Sequence, residues 1–166
     1  MINGINYLKE MYPNFDDSSY QPDGIDLRLG QVYRFDFSSE ILYGITEESK
    51  ILPDLTELEK ISVNDVNGWI LNPQEAFIFE VDRTVHIKNN SAQFYLPRSS
   101  LLRMGLNVIT ALGDSGYNGH LSFLAKNETT EPLFLEEGVR FAQLIDFEVK
   151  GAGKYDGDYQ DDKHKE

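Results

Sequence analysis

The chain contains no cysteine, which removes disulfides, thiolate metal sites and cysteine nucleophiles at once. Its three histidines, His86, His120 and His164, show no ligand spacing. No Walker loop, HExxH or Ser/His/Asp arrangement is present. No apolar run approaches the roughly 20 residues of a membrane span, and the opening MINGINYLKE has neither a basic leader nor an apolar core. These absences predict a cytoplasmic protein without a membrane partner. Positive charge is scarce: 15 Lys and Arg against 28 Asp and Glu leave a net charge of −13. A field of that sign repels nucleic acid and anionic lipid, so neither is an expected partner. A polyphosphate ligand must instead find local arginines and a divalent cation.

What is present suits a folded domain. Of 166 residues, 40% are hydrophobic and 12% aromatic, enough for a buried core and too many for a disordered chain. We expect one domain over 1–150, and an arm over 151–166, rich in Gly, Asp and Lys, that is mobile and either functionless or able to close over a ligand. Ile2, Ile5, Leu8 and Met11 recur every third residue and predict a short amphipathic helix ended by Pro13. Residues 25–29 and, after Gly30, 32–37 alternate as two strands. The stretch 38–67 is acidic and aperiodic, an excursion expected to wrap the surface with little regular structure. Trp69 reads as a core or rim anchor. Short strands follow at 76–81, 84–88, 92–96, 106–112, 119–125, 132–135 and 139–149. Many short strands with one or two helices predict an all-β fold, an antiparallel sandwich or a jelly-roll-like barrel.

The residues best suited to chemistry crowd into 96–127, LPRSSLLRMGLNVITALGDSGYNGHLSFLAKN. Arg98, Ser99 and Ser100 stand where a strand turns into a short helix stopped by Gly105. Serines there suit capping of free N–H groups. The same N–H groups and hydroxyls, with the forked guanidinium groups of Arg98 and Arg103, also suit phosphate oxygens. Residues 114–119 read as a glycine-rich hairpin turn. Its glycines let a ligand approach the backbone, whose unpaired N–H and C=O groups can read a pyrimidine edge. Tyr117 can lie beneath a sugar, and Asp114 can orient a water. The two halves are expected to be neighbours in space and to form a nucleotide site together. Further on, Arg140 and Gln143 do not share a face at a period of two. The arginine suits an acidic neighbour, and the amide, odd in an apolar run, needs a partner such as a phosphate oxygen. Mg²⁺ arriving on a triphosphate fits better than a wholly protein-held metal, because it keeps waters and prefers phosphate oxygens.

In combination these segments resemble the family of trimeric dUTPases and dCTP deaminases. The likeness covers roughly 24–37 and 94–159. GIDLRLG at 24–30 is similar to the family's first motif, RSSLLRMG at 98–105 to the second, DSGYNG at 114–119 to the third and GVRFAQLI at 138–145 to the fourth. The first two are closer to the deaminase branch. The resemblance implies a jelly-roll-like barrel, a homotrimer with sites shared between subunits, and a pyrimidine deoxynucleotide ligand. It also implies a choice of activity. In the deaminases a glutamate in the strand after the hairpin shuttles protons at the cytosine ring, and its place falls here on Leu124. An arginine before the hairpin aspartate is replaced by Leu112-Gly113 in a slightly shorter chain.

The resemblance therefore implies a dUTP pyrophosphatase, cleaving dUTP to dUMP and pyrophosphate with Mg²⁺ held mainly through substrate phosphates. Asp114 is the implied catalytic residue, orienting the water that attacks the α-phosphorus. Arg98, Ser99, Ser100, Arg103 and Gln143, with Arg140, are implied on the phosphates, and Tyr117 on the deoxyribose. Backbone groups of Leu112 and Gly113 would read uracil, with Asp26 in a supporting or structural role. Lys154 would meet the γ-phosphate and Tyr155 would cover the site, although 151–159 is more like the deaminase tail than the Gly-rich end of a dUTPase. Two alternatives share this scaffold: a dCTP deaminase or bifunctional enzyme, and a catalytically weak dUTP-binding protein that engages a partner through 38–67.

Overall fold

The computed structural model describes residues 1–39 and 42–165; Glu40 and Ile41 of the excursion, Glu166, and the side chains of His164 and Lys165 lie outside the described residues. Helix α1 (Ile5–Met11) buries Leu8 completely and ends two residues before Pro13. A 3-10 turn leads into β1 (Tyr20–Gln21) and then the long β2 (Gly24–Asp36). Next come β3 (Gly44–Ile45), β4 (Lys50–Ile51), β5 (Asp54–Glu57), β6 (Ile61–Val63) and β7 (Val66–Leu71). They are followed by β8 (Ala76–His86), β9 (Ser91–Pro97), α2 (Ser99–Arg103), β10 (Leu106–Ile109), β11 (Asn118–Asn127), β12 (Leu133–Glu136) and β13 (Arg140–Glu148). Among the described residues no helix is long and apolar enough to cross a membrane.

The two strands expected on either side of Gly30 are one. The first half of β2 pairs with β13 and its second half with β8, and the register shifts between Leu29 and Gln31. Gly30 is thus a β-bulge at a sheet corner. A Cβ on it would stand 2.5 Å from Cα of Asp82, so the close approach of the two backbones requires glycine. The expected break between 76–81 and 84–88 is likewise a bulge within β8. His120 of β11 faces Thr84 while Ser122 faces Glu80, so three residues of β8 oppose one of β11.

The excursion is more regular than its sequence suggests. β5 pairs with the end of β2, and β6 pairs with β7. All four residues of β5 stay exposed, so it forms by backbone pairing alone and leaves no alternation to read. Trp69 is fully buried and donates its indole N–H to the Leu58 carbonyl at 3.1 Å, a core anchor as expected.

The main antiparallel sheet runs β10-β11-β8-β2-β13-β9. Its two ends nearly meet. Gly113 exchanges backbone hydrogen bonds with Gln93 of β9, at 2.8 and 2.9 Å, and the Thr110 hydroxyl donates to the Tyr95 carbonyl at 2.9 Å. Between the layers, Phe79 and Phe123 pack on Phe141 with ring centroids 5.7 and 5.8 Å apart, and Tyr95 packs on Phe123 at 5.1 Å. Core burial on one face and a nearly closed antiparallel sheet make this an all-β, jelly-roll-like barrel. Along its closure Phe94, Leu96, Ile109 and Leu112 remain exposed.

Candidate active site

The segment after β9 supplies one depression. Arg98 occupies the N-cap position of α2 without a side-chain cap bond, so the serines do not cap this helix. They fall in its first turn instead, where both are exposed. A cleft of about 340 Å³ opens here, lined by Gln21, Asp26, Leu96, Pro97, Arg98, Ser99, Arg140 and Gln143. Ser100 and Arg103 are exposed nearby but do not line it. Arg140 and Gln143, which a simple period of two keeps apart, share the cleft because β13 bulges between Arg140 and Ala142.

Asp26 organises this cleft. It is only 4% exposed, and its Oδ2 accepts from Arg98 at 2.7 Å, Gln21 at 3.1 Å and Arg140 at 3.2 Å. Each guanidinium carries five N–H donors, so both arginines keep donors for a ligand while the carboxylate fixes their position. Two cations and one anion leave the cleft positive, which suits phosphate.

A second, larger depression of about 1210 Å³ lies at the hairpin. Pairing between β10 and β11 stops at Ile109–Leu124. Beyond it the strands splay, because Gly113 turns to Gln93 on β9 while 118–120 stays on β8. The resulting slot is walled by Ala111, Leu112 and Gly113 on one side and Leu121, Ser122 and Phe123 on the other. Asp114 stands exposed at its mouth. Tyr117 donates its hydroxyl to the His120 carbonyl at 2.7 Å and sets its ring edge-on to Tyr155, 5.6 Å away. Burial, with Asp162 and Tyr155 nearby, pushes the Tyr117 phenol up to about 12, so it remains a neutral, fixed platform. No lysine or arginine is among the described residues that line this depression.

The two halves are therefore not neighbours in one cleft. Gly113 pairs with Gln93, five residues before Arg98, a separation of roughly 16 Å at about 3.3 Å per residue along a strand. Nearness in sequence across a hairpin did not become nearness in space, because β9 carries the two sites at different points along its length.

The arm lies on the hairpin of its own chain. Tyr155 N–H donates to the Ser115 carbonyl at 2.7 Å, Asn118 N–H to the Gln160 side chain at 3.2 Å and His120 N–H to Asp162 at 2.9 Å. Lys50 pairs with Asp158 at 2.9 Å. Tyr155 and Tyr159 thus reach the slot's depression. Lys154 is exposed beside Gly116 and lines neither depression. Leu124, half-buried, pairs with Ile109 and Ile78, so the strand after the hairpin carries no carboxylate there. Sequence reading missed Gln21 in the cleft, and Tyr33, Glu80 and Ser122 in the slot's depression. Only Glu80 left a signal, as the one charge in the run AFIFEV.

Fold and site together define a jelly-roll-like barrel with a slot between splayed strands and a separate arginine-lined cleft. The model of the dCTP deaminase-like family matches residues 6–149, and the chain belongs to that family. It is 36% identical over 96% of its length to a protein of Methanopyrus kandleri named probable deoxyuridine 5′-triphosphate nucleotidohydrolase, covering 99% of that protein. A Methanothermobacter thermautotrophicus protein of the same name is 38% identical over 97% of this chain and 100% of its own. Among solved structures, the 2′-deoxycytidine 5′-triphosphate deaminase of Agrobacterium tumefaciens superposes with a TM-score of 0.63 at 19% identity, over 87% of this chain and 47% of that one.

Proposed function

We propose that the chain is a dUTP pyrophosphatase of pyrimidine deoxyribonucleotide metabolism, acting in the cytoplasm on dUTP to yield dUMP and pyrophosphate. The observation that carries this reading is the splayed slot, with Asp114 at its mouth and Tyr117 fixed beside it. The names of the two archaeal relatives support the same substrate. Leu124 argues against deamination, since a leucine cannot move protons at a cytosine ring.

In this reading uracil enters the slot between the splayed strands, where Leu112 and Gly113 offer backbone groups, and the deoxyribose rests on Tyr117. Asp114 orients a water for in-line attack on the α-phosphorus and takes up its proton. Arg98, Ser99, Gln143 and Arg140 hold phosphate oxygens and stabilise charge that develops toward the pyrophosphate leaving group. Ser100, Arg103 and Lys154 stand outside both linings and would need the phosphate chain, or the arm, to come to them. Among the described residues no group of three His, Asp or Glu is placed to hold an ion. Mg²⁺ held mainly by the triphosphate would neutralise phosphate charge.

Within one chain the base slot and the arginine cleft are separate depressions, and in this reading the complete site draws its phosphate cleft from a second copy. A homotrimer supplies such heterologous contacts in a closed ring, and the exposed Phe94, Leu96, Ile109 and Leu112 give it an apolar face. Residues 1–150 act as one domain, and the arm 151–166 closes over the nucleotide. The test is to incubate the purified protein with dUTP or dCTP and Mg²⁺ and measure pyrophosphate and ammonia. Pyrophosphate from dUTP is the expected result, and ammonia from dCTP would overturn the reading. A second reading, a dUTP-responsive interaction protein, is favoured by the exposed Ile45, Ile51, Leu52 and Leu55 of the excursion. It requires binding without turnover.

A further inference from the structure

Asp146 of β13 is fully buried and lines neither depression. A carboxylate taken out of water is costly unless hydrogen bonds replace its hydration, and here uncharged donors supply them from two sides. Oδ1 accepts from the Tyr12 hydroxyl at 2.6 Å and the Gln93 amide at 3.4 Å. Oδ2 accepts from the Asn3 amide at 2.6 Å and the Ser91 hydroxyl at 3.2 Å. Each oxygen thus bonds once to the N-terminal segment and once to β9. Those two β9 residues also hold the hairpin. Gln93 exchanges backbone bonds with Gly113, and the Ser91 carbonyl accepts the Ser115 hydroxyl at 2.6 Å. The Gln93 side chain accepts the Tyr95 hydroxyl at 3.0 Å, and Gly113 lies so close to that hydroxyl that a Cβ there would collide with it. Asp114 is the exposed residue between Gly113 and Ser115, both of them buried and tied to β9.

We infer that Asp146 is a positioning residue for Asp114: by orienting Ser91 and Gln93 it fixes the wall of β9 on which the hairpin rests, and so sets the water-orienting carboxylate at the mouth of the slot. The inference rests on the hydrolytic reading given under Proposed function, and adds to it a residue that touches neither the substrate nor Asp114. Activation of a water depends on geometry, and a misplacement of about 1 Å can cost on the order of 10²-fold in rate. Asp114 is exposed, so its place depends on the backbone that carries it, and that backbone is tied down on either side through β9. A carboxylate has about four acceptor positions and can hold these four donors at once. An apolar side chain at 146 would fill the space and orient nothing. On the outer side Asn3 N–H also donates to the Asp146 carbonyl at 3.0 Å, closing the N-terminal segment over the network. Burial and the Asp146 carboxylate hold the Tyr12 phenol well above its ordinary value, so its hydroxyl remains a donor.

The test follows dUTP kinetics, urea melts and amide exchange by NMR in Asp146→Asn, Ser115→Ala, Tyr12→Phe and Asp114→Asn. Asparagine keeps the shape of Asp146 but puts donors where one oxygen accepted two, so one bond to β9 is lost or reversed. In the folded variant kcat should fall by about 10- to 100-fold. Exchange at the Gly113 amide should quicken, while that of Leu29, which is bonded to Val139, should not. Ser115→Ala should act in the same direction, and it keeps the buried carboxylate should Asp146→Asn misfold. Tyr12→Phe removes a bond on the outer side and should lower the urea midpoint with kcat near the wild-type value. The sharpest comparison is Asp114→Asn with and without Asp146→Asn. If Asp146 acts through Asp114, the second substitution takes little further rate from the double variant. Full multiplication of the two losses would overturn the inference. So would a wild-type kcat in folded Asp146→Asn, or a loss in Tyr12→Phe as large as in Asp146→Asn. If the wild type releases no pyrophosphate, the hydrolytic reading fails, and exchange at Gly113 still decides whether Asp146 holds the hairpin. If it hydrolyses dUTP and Asp146→Asn changes neither kcat nor exchange, only the positioning role fails.

Discussion

Asp26 and Asp114 divide two kinds of carboxylate work. Asp26, held by Gln21, Arg98 and Arg140, never needs to meet the ligand; it sets where two guanidinium groups stand. Asp26→Ala should therefore raise KM for dUTP through misplaced arginines. It should also cost about 1–3 kcal/mol of stability, less than a fully buried pair because both arginines are partly exposed. Kinetics with a urea melt would check both effects, and an unchanged KM would make Asp26 purely structural. Asp114 is exposed and carries no such scaffold. Asp114→Asn should lower kcat by roughly 10²–10⁴-fold, as expected for lost general-base assistance, while calorimetry finds dUTP affinity largely intact. Turnover at the wild-type rate would remove Asp114 from the chemistry. At this scale the sequence was partly legible. An arginine in a strand announced the need for an acidic partner, but not that Asp26, 114 residues away, would be it. Glu80 was visible as a lone charge among apolar residues, yet its place beside the slot depends on the pairing of β8 with β11.

Strands were legible from alternation, and their irregularities were not. The positions that read as breaks, Gly30 and 82–83, are bulges inside continuous strands. A bulge adds a residue to one strand only, so it depends on the partner's register, which no local pattern records. The same device explains why Arg140 and Gln143 meet in one cleft. β5 escaped notice because all of it is exposed. Tertiary packing also sets the titration of four tyrosines. Burial, the leading cause in each, raises Tyr12, Tyr33, Tyr95 and Tyr117 above the ordinary phenol value of 10.0, with Tyr33 and Tyr117 at about 12. Between pH 10 and 12 the unfolded chain loses these protons while the folded chain keeps them. The unfolded state then binds fewer protons, so stability falls as pH rises through that window and is unaffected below it. Urea melts followed by Trp69 fluorescence from pH 8 to 11.5 should show a midpoint steady to about 10 and declining beyond. Tyr33→Phe should flatten the decline, and a midpoint steady to 11.5 would contradict these environments.

At the scale of the molecule, a surface of net charge −13 confines attraction for phosphate to one small arginine cleft. The base slot has no lysine or arginine among its described lining residues. The two lie at different points along β9, and in the trimer proposed above the slot of one copy meets the cleft of another. The apolar closure at Phe94, Leu96, Ile109 and Leu112 is the face available for that contact. This arrangement makes a quantitative prediction about mixtures. Asp114→Asn damages the slot and leaves the cleft intact, whereas Arg98→Ala does the reverse. Each variant alone should be nearly inactive. Unfolded together in equal amounts and refolded, they form mixed rings in which some sites take Asp114 from one variant and Arg98 from the other. With random mixing and sites built across neighbours, about a quarter of sites carry both intact halves, so pyrophosphate release should recover to about a quarter of the wild-type rate. Leu96→Asp in both variants should abolish that recovery by dispersing the rings, with sedimentation confirming monomers. A site built within one chain recovers nothing on mixing, and that outcome would reject the shared arrangement.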